Sequence, residues 1–298
     1  MRLDDFDPDI NVGDQRGRGG GFGGGGLLLG LLPLIFSRFG LGGVIVVVAV
    51  LFFLGGNPLG LVGGDQAPSG QVGYSEGGAG TDATRACTVD AASKAACDAF
   101  SSANETWRAI FRDAGAAFRE PSLQFYGGSG RSGCGAAQAA MGPFYCPADQ
   151  GIYLDTGFFD ELAERYGARG DFAQDYVIAH EFGHHVQNLL GTSAQVARAQ
   201  AGLGDTAGNR LSVMLELQAD CYAGIWAAHN RNRLEPGDIE EGMTAANAIG
   251  DDTLQREARG RVMPDSFTHG TSQQRMHWLR VGLESGDPAA CNTFEALS

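Results

Sequence analysis

His180, Glu181 and His184 stand in the run AHEFGHHVQ, two histidines four residues apart with a glutamate directly after the first. On a helix, residues i and i+4 lie one turn above the other, so both imidazoles project from the same face. Two imidazoles so placed can grip one Zn²⁺ ion, and the carboxylate beside them can take a proton from the water it activates. The chemistry expected of such a set is hydrolysis at a peptide carbonyl. The competing reading is a chance match on a helix with two core histidines. The chain holds only six histidines, and an otherwise apolar helix gives no packing reason for stacking two of them.

A hydrolytic zinc site needs a third protein ligand and one open position. Glu216 and Asp220 stand four apart in the segment 208–229, GNRLSVMLELQADCYAGIWAAH. Glu216 is the expected third ligand, and Asp220 is expected to hold the far nitrogen of His180 and so fix its tautomer. Acids set among so many apolar neighbours are costly unless paired or metal-bound. Asp220 itself, Asp175 and His185 are the rival ligands; His185 points about 100° around the helix from His184. His269, in the turn Phe267–Gly270, is the candidate donor to a developing oxyanion, with Tyr145 and Tyr153 as alternatives.

These side chains must ride on particular elements. Residues 171–191 carry no proline; Asp171 and Gln174 have capping-box spacing and Gly191 marks a stop, which predicts a long helix. Residues 208–229 predict a second. Thr271 with Gln274 predicts the capped start of a final helix. Gln150–Asp155 reads as a strand whose edge could pair with an extended peptide. His277, Trp278, Trp107, Tyr222 and Trp226 read as packing. The six cysteines pair most simply as Cys87–Cys97, Cys134–Cys146 and Cys221–Cys291, with buried free thiols as the alternative. No C-x₂-C or C-x₄-C spacing supports a zinc–thiolate site.

The rest of the chain is organised by its glycines. About half of the 47 fall in the first eighty residues. Residues 1–38 read as a polar, glycine-rich tail, and 57–84 as a flexible stalk. Between them 39–56, FGLGGVIVVVAVLFFLGG, is uncharged and just long enough to span a bilayer, so a single transmembrane helix is expected there. Arg16, Arg18 and Arg38 precede it and the next arginine is Arg85, which predicts a cytoplasmic N-terminus, with the domain 85–298 outside the cell membrane. The net charge of −14 speaks against nucleic acid as a partner, because phosphate binding needs clustered Lys and Arg.

HEFGHHVQ at 180–187 and ELQADCYAG at 216–224, with GPFYCPAD at 142–149 and SFTHGTSQQR at 266–275, resemble the blocks of the putative neutral zinc metallopeptidase family of bacteria. The resemblance covers roughly residues 85–298. It implies a membrane-anchored gluzincin with an α+β, zincin-like fold: a mainly helical domain with a small sheet, preceded by a single transmembrane helix. It also implies one Zn²⁺ and a protein or peptide substrate. The alternative function is a membrane-tethered binding or scaffold protein with a structural or vestigial zinc site. Against it, no fourth ligand is visible, and a purely structural site would not need Glu181.

Overall fold

Short strands are grouped ahead of a run of long helices in this computed structural model, which describes residues 1–16 and 79–296. Strand β1 (Val12–Asp14) is followed by helices α1 (Ala79–Cys87) and α2 (Ala91–Asp113). Strands β2 (Ser122–Phe125), β3 (Ser129–Ser132), β4 (Gly135–Gln138), β5 (Phe144–Cys146) and β6 (Gly151–Leu154) come next. Helices then take over: α3 (Gly157–Glu164), α4 (Asp171–Leu190), α5 (Thr192–Gln200) and α6 (Asp205–His229). The remainder is α7 (Asp238–Ala248), α8 (Asp251–Arg259), α9 (Ser272–Ser285) and the short α10 (Thr293–Ala296).

The main sheet runs β1-β2-β6-β5, parallel except for β5, which is antiparallel to β6; β3 and β4 form a separate hairpin. Leu123, Phe125, Ile152 and Leu154 are fully buried from the two inner strands. Strand β6 is paired on both sides, so it offers no free edge to a peptide. Of its two neighbours, β5 is an outer strand of the sheet, as β1 is at the other end. The reading of 150–155 as a substrate-binding edge is corrected accordingly: its consecutive apolar residues Ile152, Tyr153 and Leu154 are all buried, as suits an inner strand covered on both faces.

Residues 1–16 are not a tail. Val12, Gly13 and Asp14 pair with Leu123, Gln124 and Phe125, Met1, Ile10 and Val12 are buried, and residues 1–16 belong to one compact unit with 79–296. The α-amino group of Met1 lies 2.7 Å from Asp171 and 3.2 Å from Asp238, at the first residues of α4 and α7. A single crossing between this segment and the domain would set β1 and β2 on opposite sides of a bilayer, yet they are hydrogen-bonded neighbours. The fold class is therefore corrected: the domain is mostly helical with small sheets, and the single transmembrane helix before it does not stand. Among the described residues no helix is long and apolar enough to cross a membrane; the run 39–56 lies outside them, as does most of the stalk.

Three disulfides join Cys87 to Cys97, Cys134 to Cys146 and Cys221 to Cys291. The last ties the chain beyond α9 to the middle of α6. Helix packing around the site depends on close backbone approach. A Cβ on Gly183 of α4 would meet the Ala219 carbonyl oxygen at 2.9 Å and its Cα at 3.0 Å on α6. Glycine in a helix interior costs about 0.5–1 kcal/mol relative to alanine; here it lets α6 lie directly against the turn that carries His184. Gly224 and Gly282 do the same for α6 against α9, where a Cβ on either would overlap the other helix's backbone.

Candidate metal centre

Helix α4 begins at Asp171, with Gly170 before it at φ 111°. The capping box expected of Asp171 and Gln174 does not form: Asp171 already lies inside the helix, and its carboxylate, with Glu241 of α7, accepts from the Phe172 amide. Gly191 closes the far end in the left-handed conformation. Thr271 and Gln274 do form a capping box at the start of α9.

The close contact at Gly183 brings α6 over the histidine face of α4. His180 Nε2 lies 3.2 Å from Glu216 Oε2, and His184 Nε2 lies 3.4 Å from Glu216 Oε1. One ligand atom from each of the three residues falls within 4.8 Å of the other two. Ligands about 2.0–2.1 Å from a tetrahedral zinc are separated by roughly 3.3 Å. The donor set and its spacing therefore fit Zn²⁺. Asp175 and His185 point elsewhere, and Asp220 is committed to other partners.

Each histidine presents Nε2 because its Nδ1 is engaged. His180 Nδ1 donates to Asp220 Oδ1 at 2.8 Å. His184 Nδ1 donates to Gln187 Oε1 at 2.9 Å, and the Gln187 amide is itself oriented by donating to the Leu215 carbonyl and to Gln218. Asp220 is fully buried. It also accepts from Tyr176 Oη at 2.6 Å and, on both oxygens, from Arg275 Nε and Nη2 at 2.9 Å. Burial works to raise the Asp220 carboxyl, but Arg275 and then His180 outweigh it and hold it low. Sequence reasoning missed Gln187 and Arg275. Both lie inside the quoted motifs, but which side chain each meets is decided on another helix.

Burial works against charge on His180 too, yet Asp220 and Glu216 together push it up to about 9. His184 is raised by Glu216 against burial, and Glu216 is held well below the usual carboxylate range by the two histidines. A metal must displace these protons. Zinc affinity is therefore expected to rise with pH, about tenfold per unit below 9 from His180 alone. Calorimetric titration in buffers of different ionisation enthalpy checks this by counting the protons released.

Glu181 is buried beside this group, and burial raises its carboxyl above the usual value. A cleft of about 470 Å³ opens over the site. Its walls are largely apolar: Phe144, Phe158, Val177, Ile249 and Leu254. His269 lines it as well, half exposed, with Nδ1 3.2 Å from Asp251 Oδ1. Asp251 also accepts from the backbone amides of Thr268, His269 and Gly270. Its hydrogen bond raises the His269 imidazole, so Nε2–H is left to face the cleft. The rival donors are spent. Tyr153 donates to Asp149 at 2.6 Å. The fully buried His185 donates from Nε2 to the Arg119 carbonyl at 2.7 Å, and burial pushes it down to about 4. Its Nδ1 is then an acceptor, which takes the Tyr145 hydroxyl proton at 3.0 Å. Trp107, Tyr222 and Trp226 are core, Trp278 is partly buried against it, and His277 is exposed rather than packed.

The model of the family described as putative neutral zinc metallopeptidase matches residues 1–294. The chain is 45% identical over 290 residues to the uncharacterized protein YpfJ of Escherichia coli (strain K12), 95% of each chain being covered. It is 44% identical over 192 residues to the uncharacterized proteins Rv2575 of Mycobacterium tuberculosis and Mb2605 of Mycobacterium bovis, across 60% of this chain and 64% of theirs. No solved structure gives a significant match.

Proposed function

The chain belongs to the putative neutral zinc metallopeptidase family, and from that premise we propose that it is a zinc-dependent peptidase that cuts extended peptides at the cleft over α4. The observation that carries this reading is the spacing of His180, His184 and Glu216, with the unliganded acid Glu181 beside them. When bound, zinc supplies a Lewis acid that polarises a carbonyl and lowers the pKa of water from about 15.7 toward 7. Glu181 takes the proton of the attacking water and returns it to the leaving amine. His269 Nε2–H donates to the oxyanion, with Asp251 holding the ring in place. The free edge of β5 gives the substrate backbone a strand to pair with, and the apolar walls favour a large apolar side chain next to the scissile bond. Three disulfides support an oxidising compartment for the domain, and the pairing of β1 with β2 supports the same compartment for residues 12–14.

The test is digestion of a mixed peptide library by the full zinc-loaded chain, with the cut sites mapped by mass spectrometry. Cuts beside Phe, Leu, Ile or Met support the reading; no cutting by a protein shown to hold one zinc sinks it. His269→Ala is expected to lower kcat by roughly 10²–10³-fold, as for loss of one oxyanion donor, with zinc content unchanged. Asp251→Asn is expected to fall in the same direction by a smaller factor, because the ring loses its orientation but not its nitrogen. Steady-state kinetics on one good library peptide measures both.

A further inference from the structure

Helix α4 does two things on adjacent residues. His184 turns to the metal group, while His185, about 100° around the helix, turns to the sheet. There its two nitrogens bridge separate segments: Nε2–H donates to the Arg119 carbonyl ahead of β2, and Nδ1 accepts from the Tyr145 hydroxyl of β5. One turn on, Asn188 Nδ2 donates to the same hydroxyl at 2.9 Å. Tyr145 is the middle residue of β5, paired with Ile152 of β6. The His185 ring is also gripped edge-on by Phe118, Phe182 and Tyr145. A purely packing position would be filled more cheaply by an apolar side chain, since a buried imidazole must satisfy both nitrogens. Both are satisfied here, and one of the partners, Tyr145, lines the cleft.

Resting on the peptidase reading above, we propose that Tyr145, His185 and Asn188 form a clamp that fixes the free edge of β5 at a set height over the metal group. They are positioning residues for the substrate backbone; none of them reaches the reacting atoms. The tyrosine proton is committed to His185 and one lone pair to Asn188, so the hydroxyl does not act in the chemistry. A substrate that pairs along β5 feels the clamp over its whole length, because backbone pairing fixes its register. A substrate too short to pair does not.

Tyr145→Phe removes the hydroxyl and keeps the ring, and Asn188→Ala removes the second attachment at a partly exposed position. For either variant of the full chain, zinc content and kcat on a three-residue substrate are expected to stay within about twofold of wild type. KM for a peptide of eight or more residues is expected to rise about tenfold, the effect of one or two lost hydrogen bonds. In a Glu181→Gln background the Kd of the same uncut peptide is expected to rise by the same factor. Amide hydrogen exchange at residues 144–146 should speed up while that of α4 holds. Equal losses on short and long substrates, or a fall in bound zinc, would overturn the clamp in favour of plain structural support. Unchanged KM, Kd and exchange would overturn it outright. A wild-type chain that cuts and binds nothing sinks the peptidase reading itself, whereas a wild type that cuts long peptides while the variants match it sinks only the clamp.

Discussion

Glu181→Gln is expected to keep its zinc and lose peptide cleavage by roughly 10²–10⁴-fold. The substitution is nearly isosteric, and three other residues make up the metal group. What it removes is a base. Glu181 is 7% exposed, and burial raises its carboxyl, which brings its basicity closer to that of the proton it must accept and hand on. An amide can hydrogen-bond to the same water but cannot carry its proton to the leaving amine. Zinc measured by atomic absorption alongside kcat separates the possibilities. Wild-type cleavage in Glu181→Gln would remove this residue from the mechanism, and loss of zinc would make it a ligand instead.

Arg275→Ala is expected to destabilise the fold by about 3 kcal/mol, the low end for breaking a buried pair. Arg275 is 2% exposed and Asp220 0%, and the guanidinium bridges both carboxylate oxygens. Without it a buried charge keeps only Tyr176 and His180 as partners, which is why the low end applies. For a domain of this size the fall in Tm should be roughly 10 °C. Zinc affinity should fall with it by about 10–100-fold, since Asp220 orients His180. Arg275→Lys should recover only part of the loss, because an ammonium cannot fork across two oxygens. Adding Asp220→Asn to Arg275→Ala should recover stability by removing the orphaned charge, but not zinc affinity. Denaturant unfolding of the metal-free proteins, with zinc titrations in parallel, reads both. If Arg275→Ala unfolds like wild type, the ion pair is not what holds α9 to α6.

Much of the site was legible because it is written at helical spacing. His180 and His184 at i, i+4 share a face wherever the helix goes, and Gly191 ends that helix by the conformation only glycine adopts cheaply. Glu216 and Asp220 share a face on the same grounds, and both lie among residues too apolar for a solvated surface. The short cysteine loops were readable because two cysteines ten or twelve residues apart have few other partners. Thr271 and Gln274 cap α9 through contacts within one turn. All of these are local relations.

What the sequence by itself determined, then, is the pair of helices, their functional faces and the chemistry their side chains favour. The tertiary structure decided the rest. It put β1, three residues in a glycine-rich stretch, beside β2 far along the chain, and so overturned the tail and the single membrane crossing that composition had predicted. It made β6 an inner strand and its neighbour β5 an edge. It also chose the partners of the ligands: Gln187 for His184, Arg275 for Asp220, Asp251 for His269, and the Tyr145–His185–Asn188 bridge. The physical reason is the same in each case. A strand of three or four residues and a single side-chain hydrogen bond have no period of their own, and their partners are set by the packing of elements distant in sequence.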